Sequence, residues 1–178
     1  MIRRGLLLLA LGLFAGCGRT SLQEARTLVS TYNEVVSEAY RRCDIQLIDR
    51  VVAQEGPAGR RLMGLIGVRA DMGLILDAHL DELEVASAEK REGVLEVRTR
   101  EHWSYRDRRM DTGEQVGESS VDRYEMIYLF RREGSAWKVS ETRFAAQPQV
   151  GRKAVPWSLD ARDAHAITSP TPAPGVHR

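Results

Sequence analysis

At Leu80 the spacing of apolar residues changes from steps of three and four to steps of two, and this divides the chain into a helical half and a sheet half. Upstream, Leu22, Ala25, Val29, Tyr32, Val36, Tyr40 and Cys43 form one stripe of a helix, and Ser21-Leu-Gln-Glu24 has the spacing of a capping box at its start. Asp44 is placed to cap a short second helix carrying Ile45, Ile48, Val51 and Val52. Gly56-Pro57-Ala58-Gly59 then breaks the chain. The pattern predicts a third helix over Arg60 to His79, with Leu62, Leu65, Ile66, Met72, Ile75 and Leu76 buried. Gly64, Gly67 and Gly73 each weaken that helix by about 1 kcal/mol relative to Ala, and would let its backbone lie close to a sheet.

Downstream of Leu80 four strands are expected. Leu83, Val85 and Ser87 alternate with acids in the first, and Leu95, Val97, Thr99, Glu101, Trp103 and Tyr105 share a face of the second. Tyr124, Met126, Tyr128 and Phe130 share a face of the third, and the fourth carries Trp137 and Val139 before Phe144. Turns fall at Asp111-Thr-Gly-Glu114 and Arg132-Glu-Gly-Ser135. A two-residue loop at Thr112-Gly113 pairs Leu95 with Phe130, Val97 with Tyr128 and Thr99 with Met126, so both apolar faces coincide. A slip of one residue would set each against a polar row. Glu133-Gly134 as the next loop sets Phe130 against Trp137 and Tyr128 against Val139. The expected fold is therefore α+β, with N-terminal helices packed on a curved four-stranded antiparallel sheet.

Under those pairings the inner face is apolar only to its middle and then becomes Glu101, Asp122, Tyr124, Glu141 and Arg143, with Glu101, Tyr124 and Arg143 in one cross-strand row. Carboxylates there are costly to bury unless paired. Two readings stay open: Arg143 bridges Glu101 and Glu141 as a structural ion pair, or these groups line the mouth of a pocket to which Tyr32 and Tyr40 add hydroxyls. A tyrosine beside a carboxylate could polarise a carbonyl and move a proton, as an isomerase does. Such residues occur more often as aromatic core groups with their hydroxyls at its edge.

The ends of the chain read differently. Arg3-Arg4, an apolar run from Leu6 to Phe14 and the small pair Ala15-Gly16 have the order of a secretory signal, too short to span a bilayer as a mature helix. Phe14-Ala-Gly-Cys17 resembles the lipobox of bacterial lipoproteins, which implies cleavage before Cys17, lipidation of its thiol and acylation of the new amine, palmitate being a usual chain. Two or three acyl chains anchor a protein stably. Gly18 in place of Asp leans toward the outer membrane. The organisation expected is a signal peptide over 1–16, a lipidated anchor over 17–20, the α+β domain over 21–147 and a Pro-rich disordered tail over 148–178, with Trp157 large enough to dock.

With 26 basic against 25 acidic residues the formal charge is +1, and losing Arg3 and Arg4 with the signal leaves 24 against 25. That balance removes the electrostatic ground for a nucleic-acid partner or for a basic patch on anionic lipid. With Cys17 lipidated, Cys43 has no partner for an intrachain disulfide and reads as a buried, inert thiol. His79, His102, His165 and His177 have no ligand spacing, so no metal is expected, and no nucleophile elbow, dinucleotide fingerprint, phosphate loop or other cofactor motif occurs.

Glu101-His-Trp103-Ser-Tyr105-Arg106, then Arg123-Tyr124-Glu125-Met126, then Gly134 before Trp137-Lys-Val139 resemble the IMS-like domain of cyanobacterial and plastid division proteins. The helix-then-sheet order is similar to the cystatin-like roll of the wider nuclear transport factor two-like, or SnoaL-like, superfamily. The resemblance implies a protein-binding module without catalytic activity, exposed on the far side of a membrane from its anchor. This chain differs in having a lipobox in place of a transmembrane helix and in lacking the J-like region, so a role in division does not carry over. The function expected is that of a non-enzymatic envelope lipoprotein facing the periplasm, held to the membrane through Cys17, whose concave sheet or tail binds an envelope protein. A small-molecule carrier or isomerase-like enzyme using the polar pocket is the alternative. A homodimer through the outer face, Val94, Arg98, Arg100 and His102 with Val121, Arg123, Glu125 and Ile127, is a third reading.

Overall fold

A computed structural model describes residues 21–145. The expected signal, the Cys17 anchor and the tail with Trp157 lie outside the described residues. No helix among those described is long and apolar enough to cross a membrane.

Helix α1 (Leu22–Arg42) starts where expected: the Ser21 hydroxyl accepts the Glu24 backbone N–H at 3.0 Å. Ala25, Val29, Tyr32, Val36 and Tyr40 are buried along its stripe, while Leu22 at the first turn is exposed. Cys43 ends it with a left-handed backbone, φ 51°, and its half-buried free thiol faces the Leu74 carbonyl at 3.5 Å. Asp44 caps as expected, accepting from the Gln46 N–H at 2.9 Å, but the turn it starts is the 3-10 helix Ile45–Arg50, in which Ile48 is buried and Ile45 exposed. Val51 to Ala53 then lie along Val139: the Val139 N–H donates to the Val51 carbonyl at 2.7 Å and the Ala53 N–H to the Val139 carbonyl at 2.9 Å.

Helix α2 (Pro57–Asp71) is shorter than the sequence suggests. It stops because Gly73 takes φ +65°, and strand β1 (Leu74–Arg91) begins at once. Ile75 and Leu76 are therefore strand residues and Met72 is exposed, while Leu62, Leu65 and Ile66 are buried as expected. A Cβ at Gly64 or Gly67 would meet nothing within 4 Å, so neither glycine marks a close approach to the sheet. Gly56 does: with φ +137°, a Cβ there would lie 2.4 Å from the Ser140 carbonyl oxygen. Arg69 of α2 bonds Asp107 at 2.7 Å, both half-buried.

The sheet runs in the order β1-β2-β3-β4, with β2 at Val94–Arg109, β3 at Gln115–Glu133 and β4 at Ala136–Phe144. Glu92 and Gly93, at φ 49° and 80°, make the two-residue turn between β1 and β2. Two bulges in β1, after Leu80 and after Val85, bend the sheet. Leu95, Val97, Thr99, Glu101, Trp103 and Tyr105 are all buried, and the pairs Leu95–Phe130, Val97–Tyr128, Thr99–Met126 and Glu101–Tyr124 form as expected.

Two details of the hairpins differ. The β2–β3 turn is four residues, Met110 to Gly113, closed by the Arg109 N–H donating to the Glu114 carbonyl at 2.8 Å. A bulge around Gly117, φ +74°, restores the expected pairing from Ser120 onward. In the β3–β4 hairpin the turn is Gly134-Ser135, so Phe130 pairs with Val139 and Arg132 with Trp137. A further bulge at Val139-Ser140 buries both residues and reverses the phase of the rest of β4. Thr142 and Phe144 then face inward opposite Tyr128 and Met126, and Glu141 and Arg143 face outward opposite Leu129 and Ile127.

Candidate functional site

Glu101 is 3% exposed in the middle of the inner face. Every strong donor to it comes from a side chain fixed by the sheet. Its Oε1 accepts from the Thr99 hydroxyl at 2.6 Å and the Tyr128 hydroxyl at 2.7 Å, and its Oε2 accepts from the Trp103 indole N–H at 2.8 Å. The Asn33 amide of α1, also buried, donates to the Tyr128 oxygen at 3.3 Å. The Thr-x-Glu-x-Trp spacing makes this possible, because residues two apart project from the same side of a strand. Burial pushes the Glu101 carboxyl above the ordinary carboxylate range, and the donations from Thr99, Tyr128 and Trp103 pull the other way.

The other expected site residues divide into three groups. Tyr32 reaches the network: its ring packs edge-on to Tyr128 with centroids 5.6 Å apart, and burial raises its hydroxyl pKa. Tyr40 is fully buried just over two turns further along α1, its pKa raised by burial with the Arg69 charge opposing. Tyr124 and Asp122 form a neighbouring cluster with Tyr105, in which Tyr124 packs on Phe144 at 5.7 Å and burial raises the pKa of both tyrosines.

Glu141 and Arg143 do not belong to the site. The bulge at Ser140 turns them to the outer face, where Arg143 is half exposed and lies 3.9 Å from Glu96, so the expected Glu101–Tyr124–Arg143 row and the Arg143 bridge to Glu101 do not form. Asn33, Thr99, Trp103 and Tyr128 take the partner role instead. The in-strand spacing of Thr99 and Trp103 was a visible signal for two of them, whereas Asn33 and Tyr128 are joined to Glu101 only by tertiary packing.

The sheet's inner face is covered by α1 and filled by Tyr32, Trp103, Tyr128 and their neighbours. Two open recesses border it. A groove of about 470 Å³ runs between α1 and β1, with Arg26, Glu34, Arg41, His79 and Asp81 on its walls and Asn33 at its floor. A second recess of similar volume lies across β1 to β3, lined by Glu84, Arg100, His102, Arg123 and Glu125 and also by the site residues Glu101 and Tyr124. The outer face carries intrachain ion pairs, Arg98 with Glu96 at 2.9 Å and Arg100 with Glu84 at 3.3 Å and Glu125 at 3.5 Å.

Helices laid on a bent four-stranded antiparallel sheet define an α+β roll. The chain shares that fold with the intermembrane space region of the chloroplast protein ARC6, with a TM-score of 0.63 and 20% identity over 72% of this chain and 99% of that one. A nuclear transport factor 2-like superfamily protein from Salmonella enterica serovar Typhimurium matches with a TM-score of 0.49 and 9% identity, over 75% of this chain and 100% of that one. A conserved protein from Planctomyces limnophilus matches with a TM-score of 0.48 and 16% identity, over 67% and 94%. No family model and no curated protein matches the chain.

Proposed function

We propose that the chain is a non-enzymatic envelope lipoprotein, anchored through Cys17 and facing the periplasm, whose roll binds another protein. The observation that carries this reading is the saturation of the polar centre: both Glu101 oxygens are occupied by side chains of the same sheet. A carboxylate so saturated holds the core in register and is poorly placed to take a proton from a ligand. The groove between α1 and β1 is a recess open to a partner, and its mixed charges suit a polar protein surface. The shared fold with an intermembrane-space region supports an envelope setting.

Photocrosslinkers placed at Glu34 and His79 in cells test it. A discrete protein adduct is expected from both positions and not from exposed Val121 on the sheet's other side. Adducts to lipid alone would overturn the reading, as would recovery of the Cys17→Ser protein in the membrane fraction to the same extent as the unaltered chain.

The polar relay favours a second reading, a small-molecule binder or isomerase-like enzyme. Asn33 lines the groove, bonds Tyr128, and Tyr128 bonds Glu101, so a hydrogen-bonded path joins the surface to the buried carboxyl. Under this reading Asn33→Ala abolishes ligand binding or turnover while the groove's protein adducts persist.

A further inference from the structure

We infer that the groove between α1 and β1 takes an extended peptide carrying an acidic and a basic residue four positions apart, an inference that rests on the protein-binding role above. The β1 wall of the groove is Ala78 to Asp81 with Leu83. Successive residues of a strand face opposite ways, so a wall built of consecutive residues is the edge of the strand and not one of its faces. β1 ends the sheet: it pairs with β2, and among the described residues no strand pairs with its other edge. The N–H and C=O groups along such an edge are a template for an added strand.

The usable edge is short. Arg41 of α1 bonds Asp77 at 3.4 Å and bridges the walls at one end, and the bulge at Asp81 interrupts the ladder further along. Ala78, His79 and Leu80 remain in regular register with Tyr105, Ser104 and Trp103. So short a run suits one extended segment better than the long strand of a second copy.

The α1 wall supplies the side-chain reading. It is a polar stripe running from Arg26 through Asn33 to Arg41. Within it Glu38 is held by Arg41 and Arg42, but exposed Arg26 and Glu34 form neither an ion pair nor a side-chain hydrogen bond. They are separated by about 12 Å along the helix. Four steps of extended chain cover about 13 Å and return the side chain to the same face. A segment anchored on Ala78 to Leu80 therefore passes Glu34 with its base and Arg26 with its acid, and no existing pair is broken.

Selection of random decapeptides from a displayed library on the full-length chain tests this. Enriched peptides should carry the acid and the base at that spacing. Arg26→Glu and Glu34→Arg should each weaken the binding of such a peptide by about twofold to fivefold, the range of an exposed ion pair, without lowering the melting temperature. The double variant should prefer the peptide with its two charges exchanged. Methylating the peptide's backbone nitrogens one at a time should weaken binding at alternate residues only, because an added strand bonds its neighbour through every second residue. Enrichment without the spacing, an unchanged preference in the double variant, methylation effects that do not alternate, or no enriched peptide would each overturn the inference. Protein adducts in cells at His79 alongside any of those results would leave the protein-binding role standing and remove only the extended segment.

Discussion

The Tyr128 hydroxyl donates to Glu101 Oε1 at 2.7 Å, although by register Tyr128 stands opposite Val97, two inward positions short of Glu101. The two side chains lean toward each other along the curved inner face, over Thr99, which donates to the same oxygen. Curvature, more than strand pairing, brings them together.

Tyr128→Phe removes one of three donors from a buried carboxylate and leaves the Asn33 amide without its acceptor. The expected loss is about 1–3 kcal/mol in urea unfolding. It should be larger at pH 8 than at pH 4, because the donation favours the ionised form. An equal loss at both values would show that ring packing on Tyr32 dominates.

The Glu101 carboxyl is held above its ordinary value by burial. A raised folded pKa contributes stability below the unfolded value, about 4.3 for Glu, and that contribution is lost as pH rises through the folded value. Glu101→Gln removes this titration. The unaltered protein should therefore gain stability on the variant as pH falls through the window above about 4.3, and the difference should level off at higher pH. Denaturant midpoints from about pH 4 to about pH 8 check it, and a constant difference contradicts it.

Gly56 and Gly64 should respond to alanine in opposite directions. Gly56→Ala drives a methyl into the Ser140 carbonyl at a backbone angle that L residues resist, costing on the order of 3 kcal/mol or preventing folding. Gly64→Ala, in open space inside α2, should stabilise by about 0.5–1 kcal/mol. Melting temperatures of the pair give the comparison.

Arg143→Ala should change stability by less than about 1 kcal/mol, since the guanidinium is half exposed and only 3.9 Å from Glu96. A loss several times larger would restore Arg143 to the polar core.

The helices' buried stripes and the β2–β3 pairing were legible in the sequence, the latter through two compensating features. The turn is longer than the Thr112-Gly113 pattern suggests, and the Gly117 bulge takes up the difference before the apolar residues begin. At β4 nothing compensates, because the bulge falls inside the strand. Its trace was present all the same: Trp137 and Val139 lie on odd numbers and Phe144 on an even one, so a single alternating strand could not bury all three. Ile75 and Leu76 read as helix because Leu and Ile suit either period, whereas Gly73 carried the stop. The location of Glu101 was readable; its partners across the fold required curvature that no local pattern encodes.

A slide of β2 past β3 by two residues would keep every oily side chain indoors, so oil alone does not forbid it. It would, however, carry Glu101 away from Tyr128, leaving the buried carboxylate only the Thr99 and Trp103 donors of its own strand and the Tyr128 hydroxyl without its acceptor. The carboxylate thus behaves as the tooth of a ratchet, making the neighbouring notches too costly to occupy and leaving one alignment in which the sheet can come to rest.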